Sequence, residues 1–212
     1  MTAEPSATRG DFVLFEALLW EPGSGYFLLE RHLERLARSA AHFGFPLDVE
    51  QLRARLEERS AHLAPEPRKL RVELARSGAI ALGDERARPS TPVATALARD
   101  PVDSTDEFLR HKTSRREVYE SARTAHPEAQ DVLLWNERHE LTETCSANVV
   151  VEIDGRRVTP PVACGLLPGT FRAYLLDRGE IAESVVPVAA LARASGIWLV
   201  NSVRRWCELA LL

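Results

Sequence analysis

A proline-rich stretch near the middle of the chain, residues 86–106, limits most strongly how this sequence can fold. It contains Pro89, Pro92 and Pro101 around one short apolar segment. Proline fixes its own backbone angle and removes a hydrogen-bond donor, so such a stretch connects elements more readily than it forms them. Because 212 residues are enough for one large or two small domains, we expect two lobes that meet here.

The first lobe is predicted to cover residues 1–103 and to mix strands with amphipathic helices. Leu33, Leu36 and Ala40 recur at helical spacing and predict a helix near residues 30–42. Residues 69–75 alternate between polar and apolar side chains, which predicts a half-exposed strand. This lobe should therefore contain a sheet with helices packed on it.

The second lobe, residues 104–212, is predicted to be larger and richer in strands. Apolar runs at 131–135, 149–153 and 197–201 predict strands, and helices are expected near 115–125 and from 170 to about 177. Together the two lobes indicate an α/β (α+β) fold.

Composition narrows the class of protein. Net charge is −4, with 27% charged residues and no basic tract, which gives no reason to expect a nucleic-acid partner. No apolar run is long enough to cross a membrane, and the first residues lack the pattern of a secretory signal, so we expect a cytoplasmic protein. Cys145, Cys164 and Cys207 are odd in number and not closely spaced. They indicate buried packing groups rather than disulfides, and no metal site is predicted.

Lysine is almost absent from the chain. Of its 27 basic residues, 25 are arginine and only Lys69 and Lys112 are lysine. Arginine keeps its proton near neutral pH, whereas a desolvated lysine amine can act as a nucleophile or a base. The bias makes Schiff-base chemistry at Lys112 the first hypothesis. The alternative is that both lysines lie on a solvated face without a special role.

Four other features could carry chemistry, and each also has a structural interpretation. Glu143 could serve a site, or could cap or solvate a turn before a strand. Arg35 could bind an anion, or could extend from a helix surface into water. The loop at 165–170 could present backbone N–H groups of Gly169 and Thr170 to a phosphate at a helix start. Ser202 could offer a hydroxyl to the same anion, or could simply begin a turn.

Six motifs in order resemble the fold-type IV enzymes that depend on pyridoxal phosphate, the class IV aminotransferase superfamily. The resemblance runs from about residue 11 to the carboxyl terminus. The closest likeness is to 4-amino-4-deoxychorismate lyase, as in the lyase module of bifunctional para-aminobenzoate synthases. The motifs are Phe15-Glu16-Ala17, His32-Leu33-Glu34-Arg35-Leu36, His111-Lys112-Thr113, Thr142-Glu143 with Asn148, Gly165-Leu166-Leu167-Pro168-Gly169-Thr170-Phe171-Arg172 and Asn201-Ser202-Val203-Arg204.

The resemblance implies a two-lobed, D-amino-acid aminotransferase-like fold and a role for each site residue. Lys112 would bind the cofactor covalently and later move the proton, and Glu143 would face the pyridine nitrogen. The phosphate would be held by Arg35, Gly169, Thr170 and Ser202, with the helix near Gly169 directed at it. The resemblance also gives Arg116, four residues after Lys112, a role in binding the substrate.

The function implied by the resemblance is cleavage of 4-amino-4-deoxychorismate to para-aminobenzoate and pyruvate, a step in the supply of folate precursors. An aminotransferase acting on branched-chain or D-amino acids is the alternative, and a non-catalytic relative is a third. Branched-chain enzymes carry a tyrosine five residues after the lysine, where this chain has Glu117. Tyr119 is interpreted as core packing. A homodimer is expected, and a chorismate-aminating protein is a candidate partner.

Overall fold

The computed structural model describes residues 11–88 and 90–212. The expectations about the amino-terminal residues and about Pro89 therefore lie outside the described part. The remainder forms two sheets with four α-helices, and the mixed α/β class expected from the sequence is confirmed.

The first sheet has four antiparallel strands in the order β2-β1-β3-β4. They are β1 (Leu14–Glu21), β2 (Gly25–Tyr26), β3 (Arg68–Leu74) and β4 (Ile80–Arg86). Strand β3 matches the predicted alternation, since Leu70, Val72 and Leu74 are buried and the residues between them are more exposed. One face of this sheet is therefore free to pack on helices.

Two helices cover that face, α1 (Leu29–Phe43) and α2 (Val49–Ser60). Leu33, Leu36 and Ala40 of α1 pack into the same core as the inward residues of β3. The helix ends at Gly44, which adopts a left-handed conformation with φ of 70° and donates its N–H to the carbonyl of Ala40. These contacts fix one side of α1 against the sheet.

The second sheet has eight strands in the order β10-β9-β8-β11-β12-β5-β6-β7, and β7 also pairs with β8. Its strands are β5 (Val93–Leu97), β6 (Asp131–Trp135), β7 (Leu141–Thr144), β8 (Asn148–Ile153), β9 (Arg156–Thr159), β10 (Ala182–Glu183), β11 (Gly196–Asn201) and β12 (Arg205–Leu211). The pairing of β7 with β8 places Glu143 opposite Asn148.

Helices α3 (Glu117–Ala125) and α4 (Thr170–Asp177) lie outside this sheet. Phe171 and Leu175 of α4 pack against Val150 of β8 and Val200 of β11. Three short 3₁₀ helices complete the regular structure at Glu107–Arg110, Val162–Cys164 and Val188–Arg193. None of the described helices is long and apolar enough to cross a membrane.

The chain enters the second sheet before the predicted lobe boundary. Strand β5 pairs with β6 and β12, so residues from Val93 onward already belong to the larger sheet. The division into domains 1–103 and 104–212 stays a prediction, although the change of sheet occurs between Arg86 and Val93. The apolar segment inside the proline-rich stretch is a sheet strand, because its prolines lie outside β5 and leave its hydrogen bonds intact.

The two sheets are joined at the segment that contains Lys112. Leu14 of β1 forms a bridge with Thr113. The N–H of Phe15 donates to the carbonyl of Lys112 at 3.0 Å, and the N–H of Ser114 donates to the carbonyl of Val13 at 2.9 Å. The loop that carries the lysine is therefore held by the first strand of the smaller sheet.

Candidate active site

A cavity of about 990 Å³ lies between the two sheets and is lined by residues from both. The structure brings every site residue predicted from the sequence to its wall. These are Arg35, Lys112, Arg116, Glu143, Gly169, Thr170 and Ser202. Their individual roles stay predictions, but their convergence gives the cavity the character of one site.

The amine of Lys112 lies in this cavity and is held there without an anionic contact. Its Nζ is 4.7 Å from the centre of the Phe15 ring. Among the described residues, no carboxylate oxygen lies within 4 Å of Nζ. Loss of hydration and the nearby charge of Arg35 lower the pKa of Lys112 from 10.5 to about 8. Part of the amine is therefore neutral near physiological pH, as a nucleophile or base requires.

Glu143 is buried in β7, which corrects the expectation that it precedes a strand. Its Oε1 accepts hydrogen bonds from the Tyr119 hydroxyl at 2.8 Å and from the Leu167 N–H at 3.3 Å. Its Oε2 accepts one from Asn148 Nδ2 at 3.2 Å. Burial outweighs these bonds and raises the pKa of Glu143 from 4.5 to about 7. A cationic group placed beside this carboxylate would restore its full charge.

Tyr119 is buried on α3, as core packing requires, but it does more than fill space. Its hydroxyl donates to Glu143, and burial together with that carboxylate raises the pKa of Tyr119 well above 10. The phenol therefore stays protonated and remains a donor. Helical spacing indicates the burial of this side chain but gives no information about the partner of its hydroxyl.

Arg35 is buried, so the interpretation as a surface arginine is wrong. Its Nε and Nη2 donate to the two carboxylate oxygens of Glu16 at 2.8 and 2.6 Å, and Nη1 donates to the carbonyl of Pro168 at 3.3 Å. Burial alone would raise the pKa of Glu16, but the charge of Arg35 and the contact with His32 hold it well below its usual range. A two-point ion pair of this kind fixes the guanidinium beside the helix α4 start.

His32 links this ion pair to helix α4. Its Nδ1 lies 2.7 Å from Glu16 Oε2, and its Nε2 lies 3.3 Å from Thr170 Oγ1. Burial lowers the pKa of His32 below its ordinary value, so the ring is neutral at pH 7. The neutral ring then donates from Nδ1 to Glu16 and accepts from the Thr170 hydroxyl. The sequence motif included His32 and Glu16 but assigned neither a role.

The start of α4 is open and tightly built. Gly169 is the residue before the helix, and no side chain caps its free N–H groups. A Cβ at Gly169 would lie 1.9 Å from Oδ1 of Asn148, so only glycine allows this close approach. Free N–H groups at a helix start attract anions.

Ser202 and Arg116 approach the cavity from other directions. Ser202 is buried at the turn between β11 and β12, and its hydroxyl donates to the carbonyl of Ala17 at 3.3 Å. Arg116 donates from Nη2 to the carbonyl of Cys145 at 2.5 Å and lies over the Tyr119 ring. Turns and long side chains of this kind meet only in the folded chain, which is why spacing alone could not place them.

The cysteines are buried and reduced, as expected for packing groups. Burial raises the pKa of Cys145 to about 11, so its thiol remains protonated. Within residues 11–88 and 90–212, no three metal-ligating side chains form a cluster.

Comparison with known proteins identifies the family. The model of the family "Amino-transferase class IV" matches residues 13–210. The chain belongs to the class IV aminotransferase family. A Schizosaccharomyces pombe protein described as "Putative aminodeoxychorismate lyase" is 29% identical to this class IV chain over 211 residues, covering 92% of it and 87% of the relative.

Two solved structures of aminotransferases share the fold of this class IV member. A Mesorhizobium loti structure described as a "Putative amino-acid aminotransferase" is 36% identical, covers 95% of this chain and 100% of its own, and superposes with a TM-score of 0.88. A Mycobacterium tuberculosis structure, "A hypothetical aminotransferase", in its PLP-bound form is 23% identical. It covers 100% of this chain and 87% of its own, with a TM-score of 0.81, and supports the fold alone.

Class IV aminotransferases depend on pyridoxal phosphate, and this is the cofactor of the chain. The described residues fit it chemically. Lys112 offers a desolvated amine for an aldehyde, and Glu143 offers a buried carboxylate whose pKa of about 7 responds to a protonated ring nitrogen. Arg35 and the uncapped start of α4 at Gly169 offer positive charge and N–H donors for a phosphate. The chain is accordingly an enzyme that uses this cofactor.

Proposed function

We propose that the chain is a lyase that uses pyridoxal phosphate to cleave 4-amino-4-deoxychorismate to para-aminobenzoate and pyruvate, a step towards folate. The observation that carries the proposal is the desolvated amine of Lys112, with a pKa of about 8, inside the cavity between the two sheets. The choice of lyase is supported by the Schizosaccharomyces pombe relative, which is matched over 87% of its length.

Lys112 would act as the base of this reaction. When bound, pyridoxal phosphate supplies an electron sink for the charge that develops at the amine-bearing carbon of the substrate. With a pKa of about 8, roughly one-tenth of the free amine is unprotonated at pH 7 and can accept the proton from that carbon. The enolpyruvyl group then leaves, the ring becomes aromatic, and Lys112 returns its proton to the departing fragment, which becomes pyruvate.

The surrounding residues would orient this chemistry. Glu143 would hold the proton of the cofactor ring nitrogen, with Tyr119 and Asn148 keeping its carboxylate in place. Arg35 and the start of α4 would anchor the phosphate, because Glu16 fixes the guanidinium on one side. Such anchoring keeps the reacting carbon within reach of Lys112.

The assembly of the enzyme is part of the same proposal. We expect a homodimer in the cytoplasm, with a separate chorismate-aminating protein as the source of the substrate. The substrate is a small molecule, and neither nucleic acid nor a membrane is expected to take part.

An aminotransferase is the second candidate. The Mesorhizobium loti structure, at 36% identity, favours it because that protein is described as an amino-acid aminotransferase. Both reactions begin with removal of the same proton by Lys112, so the residues that hold the cofactor serve either outcome. The two differ in whether the enolpyruvyl group leaves or the cofactor is reprotonated.

The test combines the visible spectrum of the purified holoenzyme with product analysis. We expect a yellow protein that forms para-aminobenzoate and pyruvate from 4-amino-4-deoxychorismate. Lys112→Ala should abolish both the yellow band and turnover. Lys69→Ala is the matched control, because it removes the only other lysine, which pairs with Glu85 at 2.7 Å on the rim.

Other outcomes would redirect the proposal. A yellow protein that ignores 4-amino-4-deoxychorismate but transfers an amino group to 2-oxoglutarate would establish the aminotransferase instead. A colourless protein that pyridoxal phosphate cannot reconstitute would favour the non-catalytic relative.

A further inference from the structure

The cavity is strongly basic although the protein as a whole is acidic. Its wall carries ten arginine and lysine side chains but only four aspartates and glutamates, while the chain has a net charge of −4. A concentration of positive charge in a concave site attracts anionic ligands. The useful question is which of these cations are free to bind one.

Six of the ten basic side chains already pair with a carboxylate within 4.0 Å. The other four are Arg88, Lys112, Arg116 and Arg204. Arg88 is exposed to solvent, and Lys112 serves the cofactor. Among the described residues, Arg116 and Arg204 are therefore the half-buried arginines of this cavity that lack a carboxylate partner.

Arg204 and Arg116 are held by neighbouring residues of one loop. Arg204 Nη2 donates to Ser146 Oγ at 2.9 Å, and Arg116 Nη2 donates to the carbonyl of Cys145 at 2.5 Å. Ser146 in turn donates to the buried carboxylate of Asp131. Each guanidinium thus uses a neutral acceptor for orientation and keeps other donors for a ligand.

The two arginines differ in distance from the reacting amine. The charge of Arg116 is among the main influences that lower the pKa of Lys112, and it also acts on Glu143. Arg204 is not among these influences and lies at the turn after β11, beside Asn201. Arg116 is therefore placed nearer the reaction, and Arg204 farther from it.

We propose that Arg204 and Arg116 form a two-part carboxylate site that selects a cyclic dicarboxylate. This inference rests on the proposed lyase function. The substrate carries its enolpyruvyl carboxylate next to the amine-bearing carbon and its ring carboxylate on the opposite side of the ring. Arg116 accordingly binds the enolpyruvyl carboxylate, and Arg204 binds the ring carboxylate, with Ser146 as the positioning residue of Arg204.

Ligand binding tests the assignment without relying on turnover. Chorismate carries both carboxylates but no amine, para-aminobenzoate keeps the ring carboxylate, and pyruvate keeps the other. Binding of each to the holoenzyme can be measured by ligand-observed NMR. Because a hydrogen bond to a charged group contributes about 1.5–3 kcal/mol, losing one should weaken binding by about tenfold or more.

The expected pattern is a separation of the two arginines. Arg204→Gln should weaken chorismate and para-aminobenzoate about tenfold while leaving pyruvate unchanged. Arg116→Gln should weaken chorismate and pyruvate and spare para-aminobenzoate. Ser146→Ala should weaken para-aminobenzoate by a smaller factor, because the charge of Arg204 remains but its orientation is lost.

Lys69→Gln is the matched control, since it removes a rim charge that Glu85 already neutralises. Equal weakening of all three ligands by Lys69→Gln and Arg204→Gln would overturn the assignment in favour of a general field. Loss of cofactor absorbance in Arg204→Gln, with ligand binding intact, would assign that arginine to the cofactor and overturn it too. An unchanged unfolding midpoint shows that each variant is folded.

Failure of this inference differs from failure of the lyase proposal. Turnover of 4-amino-4-deoxychorismate that is indifferent to Arg204→Gln would overturn only the carboxylate site. A holoenzyme without lyase turnover that still binds chorismate through Arg204 would contradict the lyase alone.

Discussion

Two groups of ionisable side chains meet at the cavity, and they are treated in opposite ways. In the ion-pair cluster of Glu16, His32 and Arg35, every charge has a partner, and the pKa of Glu16 is held far below its usual range. In the reactive pair of Lys112 and Glu143, desolvation dominates, and the pKa values move to about 8 and about 7.

The difference shows what pairing does to a group removed from water. A charge with a close, two-point partner is locked in one protonation state and becomes part of the scaffold. A group that is desolvated without such a partner titrates near neutral pH, where it can exchange protons with a substrate. The cluster is therefore suited to holding a ligand, and the pair to reacting with one.

Removing the lysine of the reactive pair should have the largest effect. We expect Lys112→Ala to lower turnover at least about a thousandfold, because general acid–base catalysis alone contributes about 10²–10⁴. Steady-state kinetics of the purified holoenzyme would measure it. Lys69→Ala should retain nearly full activity, and a similar loss in that variant would remove the contrast.

Breaking the ion-pair cluster should mainly affect stability. Glu16→Gln leaves the buried charge of Arg35 without its carboxylate and should lower the free energy of unfolding by about 3–5 kcal/mol. Urea unfolding of the cofactor-free protein would measure this. Because the folded pKa of Glu16 is lowered, its contribution is complete above the unfolded pKa of about 4 and is lost only in stronger acid.

Glu85→Gln supplies the comparison for Glu16→Gln. Glu85 pairs with Lys69 at 2.7 Å, but 59% of its side chain is exposed. We expect a change of less than about 1 kcal/mol, as for other surface ion pairs. Equal losses in the two variants would mean that burial does not distinguish them.

The pKa of Lys112 can be measured directly in the cofactor-free protein. The neutral amine reacts with an aldehyde, so the rate of reaction with pyridoxal phosphate should rise with pH and level off above about 8. An unshifted lysine would have about 300-fold less free amine at pH 7. Stopped-flow absorbance would follow the reaction, and a rate still rising at pH 10 would show that the amine is not desolvated.

A smaller effect is expected at the partner of Glu143. Tyr119→Phe removes a hydrogen bond that lowers the pKa of this carboxyl, so the pKa should rise further above 7. More of Glu143 is then protonated at pH 7, and turnover should fall about three- to tenfold, recovering as the pH is raised. The pH–rate profile would show it.

The control for Tyr119→Phe is Tyr26→Phe. The Tyr26 hydroxyl also donates a hydrogen bond, to the carbonyl of Leu56 at 2.8 Å, but in the smaller sheet. Its removal should leave the pH–rate profile unchanged. A loss in Tyr119→Phe that is equal at every pH would indicate disturbed packing rather than a change in the charge of Glu143.

The sequence predicted the reactive pair better than the ion-pair cluster, for a physical reason. Lys112 is conspicuous because the chain otherwise uses arginine almost exclusively. Arg35 is one of 25 arginines on an amphipathic pattern, and its burial depends on β1 and α4, which are far away in the chain. One local signal existed, since Glu16 is a charged residue inside an apolar strand, where an unpaired carboxylate would be costly.

Periodicity predicted most strands and helices, but not how the strands pair. Residues 131–135 and 170–177 match β6 and α4 closely. Strand β7, which carries Glu143, was read as a turn because its residues Thr142, Glu143 and Thr144 are polar. They are buried all the same, since β7 packs between β6 and β8 and its polar groups are bonded there. Local sequence does not contain this information.

The pairing of Leu14 with Thr113 has a consequence for the folding of the chain. It joins segments about one hundred residues apart, and loops of that length close late because their entropic cost precedes any gain from contacts. The lysine loop is thus positioned only after both halves have been synthesised and have docked. A nascent or partly folded chain would expose no reactive amine to free aldehydes in the cell, and acquisition of the cofactor would mark the last stage of maturation.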